Sequence, residues 1–129
     1  MEMQVRELNI HESAEDYLES ILMLKEEKGY ARAVDIAGRL GVTKPSVSVA
    51  MKHLRENGYI TVDKENLISL TEKGHQVASK IYDRHQTITA YLVMLGVREE
   101  TARMDACKME HDISEETFQA VKKAVHTAK

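Results

Sequence analysis

The 129-residue chain has one cysteine, one proline, no tryptophan and a single phenylalanine. A single thiol cannot form an internal disulfide, so the fold must close on its own core and the expected setting is the reducing cytoplasm. No apolar run approaches the ~20 residues that cross a bilayer, or the h-region of a secretory leader, so no membrane partner is expected. The sequence also lacks an H-E-x-x-H pair, a Gly-rich phosphate loop and a nucleophile elbow, which leaves a metal-dependent hydrolase as a distant alternative. Excess positive charge is missing too. A formal net charge of -3 excludes a generally basic coat for nucleic acid.

What is present suits a folded chain: 43% hydrophobic and 30% charged residues support one real core with a small second lobe. The charge is segregated. Between Ile36 and Val62 the bases Arg39, Lys44, Lys52 and Arg55 face only Glu56, whereas Glu99 to Glu116 holds seven acids and two bases. A local cationic surface therefore coexists with an anionic one.

Residues 1 to 11 show no clear period and read as a lead-in. From Glu12 to Lys28, Tyr17, Leu18, Ile21, Leu22 and Leu24 recur at helical spacing, and Gly29 stops the run. Asp16 and Glu19 flank that stripe, and on local grounds they read as acids of a solvated first turn. Ala33–Leu40 is a short helix with Val34, Ile36, Ala37 and Leu40 available for a core, followed by a break at Gly41-Val42. Thr43 then offers an N-cap and Pro45 fits a first turn, with Val47, Ala50, Met51 and Leu54 as an inward stripe. Two short helices joined by a Gly-containing turn form a helix-turn-helix, whose outer face suits the major groove. The candidate DNA contacts are Arg32, Thr43, Lys44, Pro45, Ser46, Ser48, Val49 and Lys52. Tyr59–Val62 and Leu67–Leu70 read as two strands of a hairpin, a wing whose tip offers Lys64 to a phosphate.

Thr71 caps a long helix that reaches Leu95, with Val77, Ile81, Ile88, Leu92 and Leu95 as its apolar stripe and His85 inside it. Two more helices follow, Arg98 to His111 and Ser114 to about Thr127. Phe118, Val121 and Val125 make a stripe too narrow to close a private core, so they are the expected dimer interface. Cys107, Glu110 and His111 stand at i, i+3 and i+4, and one helix face would bring thiol, carboxylate and imidazole to one cation. The same lone thiol leaves an alternative open, a winged-helix regulator in which Cys107 senses oxidation. The expected fold is mainly α with a small β-wing: a winged helix-turn-helix domain over residues 1–73 and a helical metal-binding and dimerisation domain over residues 74–129, bridged by the helix at 71–95.

These elements resemble the diphtheria-toxin-repressor-like metal-dependent transcriptional regulators, and among them the short manganese-transport-regulator branch. The resemblance runs from about Ser13 to Phe118. It rests on Glu15-Asp16-Tyr17-Leu18-Glu19, Glu27-Lys28-Gly29-Tyr30-Ala31-Arg32, Asp35-Ile36-Ala37, Pro45-Ser46-Val47-Ser48, Leu70-Thr71-Glu72-Lys73-Gly74, Arg84-His85 and Cys107-x-x-Glu110-His111 in that order. It implies a repressor of metal-homeostasis genes that binds a near-palindromic double-stranded operator as a homodimer and answers to Mn²⁺ or Fe²⁺. It also implies the ligand set Asp16, Glu19, His85, Cys107, Glu110 and His111. That set is a hybrid: manganese-type members look carboxylate-rich where this chain has Cys107, and iron-type members place Met where it has Asp16. The thiolate and imidazoles shift preference toward Fe²⁺, Co²⁺ or Zn²⁺, the hard oxygens toward Mn²⁺. Arg103 and Thr89 stand where an iron-type ancillary site would have His and Glu.

Overall fold

The computed structural model describes residues 2–128, with side chains from Ser13 onward; Met1 and Lys129, the ends of the expected domain spans, lie outside the described residues. Its elements in chain order are α1 (Glu2–Lys28), α2 (Ala33–Leu40), α3 (Lys44–Glu56), β1 (Ile60–Val62), β2 (Ile68–Leu70), α4 (Glu72–Met94), α5 (Glu99–Asp112) and α6 (Glu115–Thr127). Two compact units divide between Ser79 and Lys80, inside α4.

In the first unit, Leu18, Ile21 and Leu24 of α1 pack with Ile36, Val47, Leu54, Ile60, Ile68 and Ala78 in one core. Gly41 carries the chain out of α2 in the left-handed region, φ 67°, where a Cβ is costly, and Val42 N–H returns to Ala37 O at 3.1 Å. Thr43 then starts α3 as expected, its Oγ1 accepting from Ser46 N–H at 3.3 Å. The strands pair antiparallel, Ile60 with Leu70 and Val62 with Ile68. Each is one residue shorter than the apolar runs, because Tyr59 and Leu67 are taken up in turn contacts: Tyr59 N–H bonds Leu54 O and Leu67 N–H bonds Asp63 Oδ1.

Three expectations change. The first helix begins at Glu2 rather than Glu12, since residues 2–11 hold no proline or glycine and are rich in Glu, Met, Gln, Arg and Leu, whose intrinsic propensity extends a helix without an apolar stripe. Val34 is 52% exposed, because it lies about 200° round the helix from the buried Ile36. Leu95 is 63% exposed, since α4 ends at Met94 and the residue falls in the turn before Gly96.

The second unit buries Ile81, Ile88, Ala102, Ala106, Phe118 and Val125. Ser114 Oγ caps α6 by accepting from Thr117 N–H at 3.1 Å. Phe118 and Val125 are only 3% and 7% exposed within a single chain, so of the three residues expected at a dimer seam only the half-buried Val121 keeps surface to offer. Phe118 is covered from within the unit, its ring lying under the Arg84 guanidinium at 5.1 Å from the centroid and near Lys122 Nζ at 5.7 Å. Among the described residues no helix is long and apolar enough to cross a membrane.

Candidate metal centre and nucleic-acid interface

Three of the expected metal ligands meet inside the second unit. α4 presents His85 and α5 presents Cys107 and Glu110, with potential ligand atoms of all three within 4.8 Å of one another. His85 Nδ1 lies 3.0 Å from Glu110 Oε2 and 3.9 Å from Cys107 Sγ. The other carboxylate oxygen, Glu110 Oε1, is 3.4 Å from His111 Nε2. Glu110 is completely buried, so its carboxylate stands between two imidazoles in a place that water does not reach. A buried charge is tolerated only when it is paired. Cys107 is exposed, at the open side of the cluster.

The Cys107 sulfur and then the Glu110 carboxylate hold the His85 proton far above its ordinary range, to about 10. The His85 ring thus stands among atoms that are all competent metal donors: a soft sulfur, a borderline nitrogen and hard oxygens. That donor set fits a mid-row divalent cation. On α1, in the first unit, Asp16 is half-buried and Glu19 is buried, three residues apart on one helix.

The outer face of α3 carries Lys44, Pro45, Ser46, Ser48, Val49 and Lys52 exposed, with Val47, Met51 and Leu54 turned inward. Thr43 Oγ1 donates to Ser46 Oγ at 2.9 Å, which orients both hydroxyls at the start of that face. Between α3 and the wing lies a groove of about 480 Å³ lined by Arg32, Val34, Ser48, Lys52, Arg55 and Asn66 among others. Arg32 stacks on Tyr30, 5.5 Å from the ring centroid. Lys64 is exposed on the wing turn, where Asp63 Oδ1 accepts from Glu65 N–H and Leu67 N–H at 2.9 Å each. Asp63 therefore has a structural task in that turn. Arg55, named in the sequence only as one of the bases between Ile36 and Val62, lines the same groove, and its place seven residues after Ser48 puts it on the same helix face.

Residues 9–66 match the family described as "Iron dependent repressor, N-terminal DNA binding domain", and residues 71–129 match "Iron dependent repressor, metal binding and dimerisation domain". The chain belongs to the iron-dependent repressor family. Members of that family are metal-dependent transcriptional regulators rather than enzymes. Transcriptional regulator MntR of Escherichia coli O6:H1 is 44% identical over 117 residues, covering 91% of this chain and 76% of the relative. Among solved structures, that of T. acidophilum IdeR superposes with a TM-score of 0.78 at 30% identity, over 85% of this chain and 52% of that one. The manganese regulator SloR gives a TM-score of 0.77 at 29% identity, over 88% of this chain and 53% of that one. This iron-dependent repressor chain thus spans about half the length of those two solved structures.

Proposed function

We propose that the chain is a metal-responsive repressor of metal-homeostasis genes, active in the cytoplasm as a homodimer on a near-palindromic DNA operator. The observation that carries this reading is the convergence of His85, Cys107 and Glu110 to within 4.8 Å. His111, whose Nε2 lies 3.4 Å from Glu110 Oε1, is the fourth donor. In this reading Asp16 and Glu19 supply further oxygens, so that α1 joins the cluster, and the working domains are 1–73 and 74–129. A bound divalent cation would supply a cross-link that fixes the separation of the two recognition helices at the ~34 to 36 Å of one DNA turn. The residues impose the selectivity: four donors from the second unit satisfy a tetrahedral Zn²⁺, whereas six-coordinate Mn²⁺ or Fe²⁺ also calls on Asp16 or Glu19. The manganese named in the description of SloR supports Mn²⁺, and the Cys107 sulfur supports Fe²⁺.

On the DNA side, Arg32, Thr43, Lys44, Pro45, Ser46, Ser48, Val49, Lys52 and Lys64 are the proposed contacts, with Arg55 added from the groove. The dimer seam is proposed at the exposed apolar residues Val93, Met94, Leu95 and Met104, not at Phe118 and Val125.

An operator gel shift under anaerobic conditions tests the metal reading. Asp16→Ala should still bind metal but lose metal-stimulated operator binding, and Cys107→Asp should raise activation by Mn²⁺ relative to Fe²⁺. An Asp16→Ala variant that answers to metal like the wild type removes α1 from the mechanism. The exposure of Cys107 beside a cationic imidazole favours one second reading, a thiol that senses oxidation. Normal metal affinity with a lost peroxide response in Cys107→Ser would select it.

A further inference from the structure

The residue immediately before His85 is an arginine whose side chain does not face solvent. Arg84 is 9% exposed, and its guanidinium reaches the corner where α5 gives way to α6. Nη1 donates to the backbone carbonyls of Glu110 and Ile113, both at 3.0 Å. Nη2 donates to Glu115 Oε1 at 3.0 Å, and the guanidinium lies over the Phe118 ring, 5.1 Å from its centroid. The last carbonyls of a helix have no partner within the helix, so a buried fork of donors is well matched to them. Gln119 and Arg84 together hold the Glu115 carboxyl below its usual range, as both donate to the anionic form.

One of the three anchors is the backbone of Glu110 itself. The α4 turn that presents the His85 imidazole therefore also grips the α5 turn that presents Glu110 and His111. We propose that Arg84 is a positioning residue for the metal centre: by bracing the last turn of α5 against α4 it sets the spacing of His85 from Glu110 and His111, and with it the affinity and geometry of the bound cation. This inference rests on the metal reading above. Lysine in its place would keep the charge but offer a single ammonium, which cannot serve two carbonyls and a carboxylate in the fixed directions of a fork.

Cobalt(II) titration of the full chain, followed by thiolate-to-metal charge transfer and ligand-field absorption, reads affinity and geometry together. Arg84→Lys should weaken Co²⁺ binding ~10- to 100-fold, the usual effect of removing a group that orients a ligand, and should shift the ligand-field bands. Ile88→Ala, a truncation in the buried core of the same unit, should lower the melting temperature yet leave spectrum and affinity unchanged well below that temperature. In the metal-free protein the ring-nitrogen resonances of His85 should move in Arg84→Lys and stay in place in Ile88→Ala. Wild-type affinity, bands and resonances in Arg84→Lys would overturn the inference while leaving the metal site standing. Equal losses of affinity in Ile88→Ala would overturn it as well, because general destabilisation would then suffice. Should Arg84→Lys not fold, Glu115→Gln removes one anchor and is expected to lose affinity severalfold; wild-type values there count against the proposal. A wild-type chain with no thiolate-to-cobalt band would sink the metal reading itself, and this inference with it.

Discussion

At the scale of single residues, the proton on His85 makes two opposite predictions. Its ordinary value is 6.5 and in the folded, metal-free chain it is raised to about 10. Below pH 6.5 the ring is charged whether the chain is folded or not, and the stabilisation it receives from Cys107 and Glu110 is fully present. Between 6.5 and about 10 the unfolded chain sheds the proton first, so that contribution declines and is gone above about 10. The melting temperature of the metal-free protein should therefore fall over that window, and His85→Gln should flatten the fall in calorimetric scans. Metal binding runs the other way, because the ring must release its proton before the nitrogen can act as a ligand. Apparent affinity should rise by up to ~10-fold per pH unit for each proton released in the same window, that of the ring and that of the Cys107 thiol, and calorimetry in two buffers of different ionisation enthalpy should count them. On α3 the two faces separate cleanly. Met51→Ala should cost ~2–5 kcal/mol of stability by emptying core volume, read by denaturant unfolding. Lys52→Ala should leave stability alone and lower the salt slope of operator binding by about 1. Much of this was legible in the sequence: Cys107, Glu110 and His111 by helical spacing, Met51 and Lys52 by opposite phase. Arg84 was not, since its main partners are backbone carbonyls and a carbonyl looks the same under every side chain.

At the scale of elements, the sequence Leu70-Thr71-Glu72-Lys73-Gly74 joins the wing to α4, and Thr71, Lys73 and Gly74 each meet the turn that leaves α3. Thr71 Oγ1 donates to Gly58 O at 2.6 Å and accepts from Gly74 N–H at 3.2 Å, while Thr71 N–H donates to Tyr59 O at 3.0 Å. Lys73 Nζ donates to Asn57 O at 3.1 Å and sits over the Tyr59 ring at 4.3 Å. Gly74 has no room for a side chain, because a Cβ there would run into the carbonyl of Tyr59. Gly74→Ala should cost ~1–3 kcal/mol by overpacking and should loosen the wing, visible as faster amide exchange at Thr71, whose N–H bonds the Tyr59 carbonyl. An alanine variant with wild-type exchange would show that the approach is not needed. Helices announced themselves through caps and apolar period, which is why Ala33–Leu40 and the Thr43 and Ser114 starts were readable. The first ten residues of α1 were not, since only propensity marks them, and Val34 shows that one apolar residue does not define a face.

At the scale of the whole molecule, the proposed seam can be separated from the core of the second unit by charge insertion. Leu95→Glu, at an exposed position, should give folded monomers in sedimentation, with operator affinity lost because one chain reads one half-site. Phe118→Glu should instead unfold the second unit, since a carboxylate would replace a ring that is buried within one chain and lies under Arg84. Folded monomers from Phe118→Glu would return the seam to α6. The narrow stripe on α6 was legible as a pattern, but a sequence cannot say whether such a stripe is closed by its own chain or by another. The exposed thiol of Cys107 has a further, practical consequence. It is the chain's one cysteine, so the proposed metal ligand is also the one site at which an alkylating reagent can react with a sulfhydryl. A dimer half loaded with cation, treated briefly with iodoacetamide and weighed intact in a mass spectrometer, would sort into species carrying zero, one or two adducts. Their proportions would report whether the two subunits fill independently or together, with no dye, tag or engineered residue.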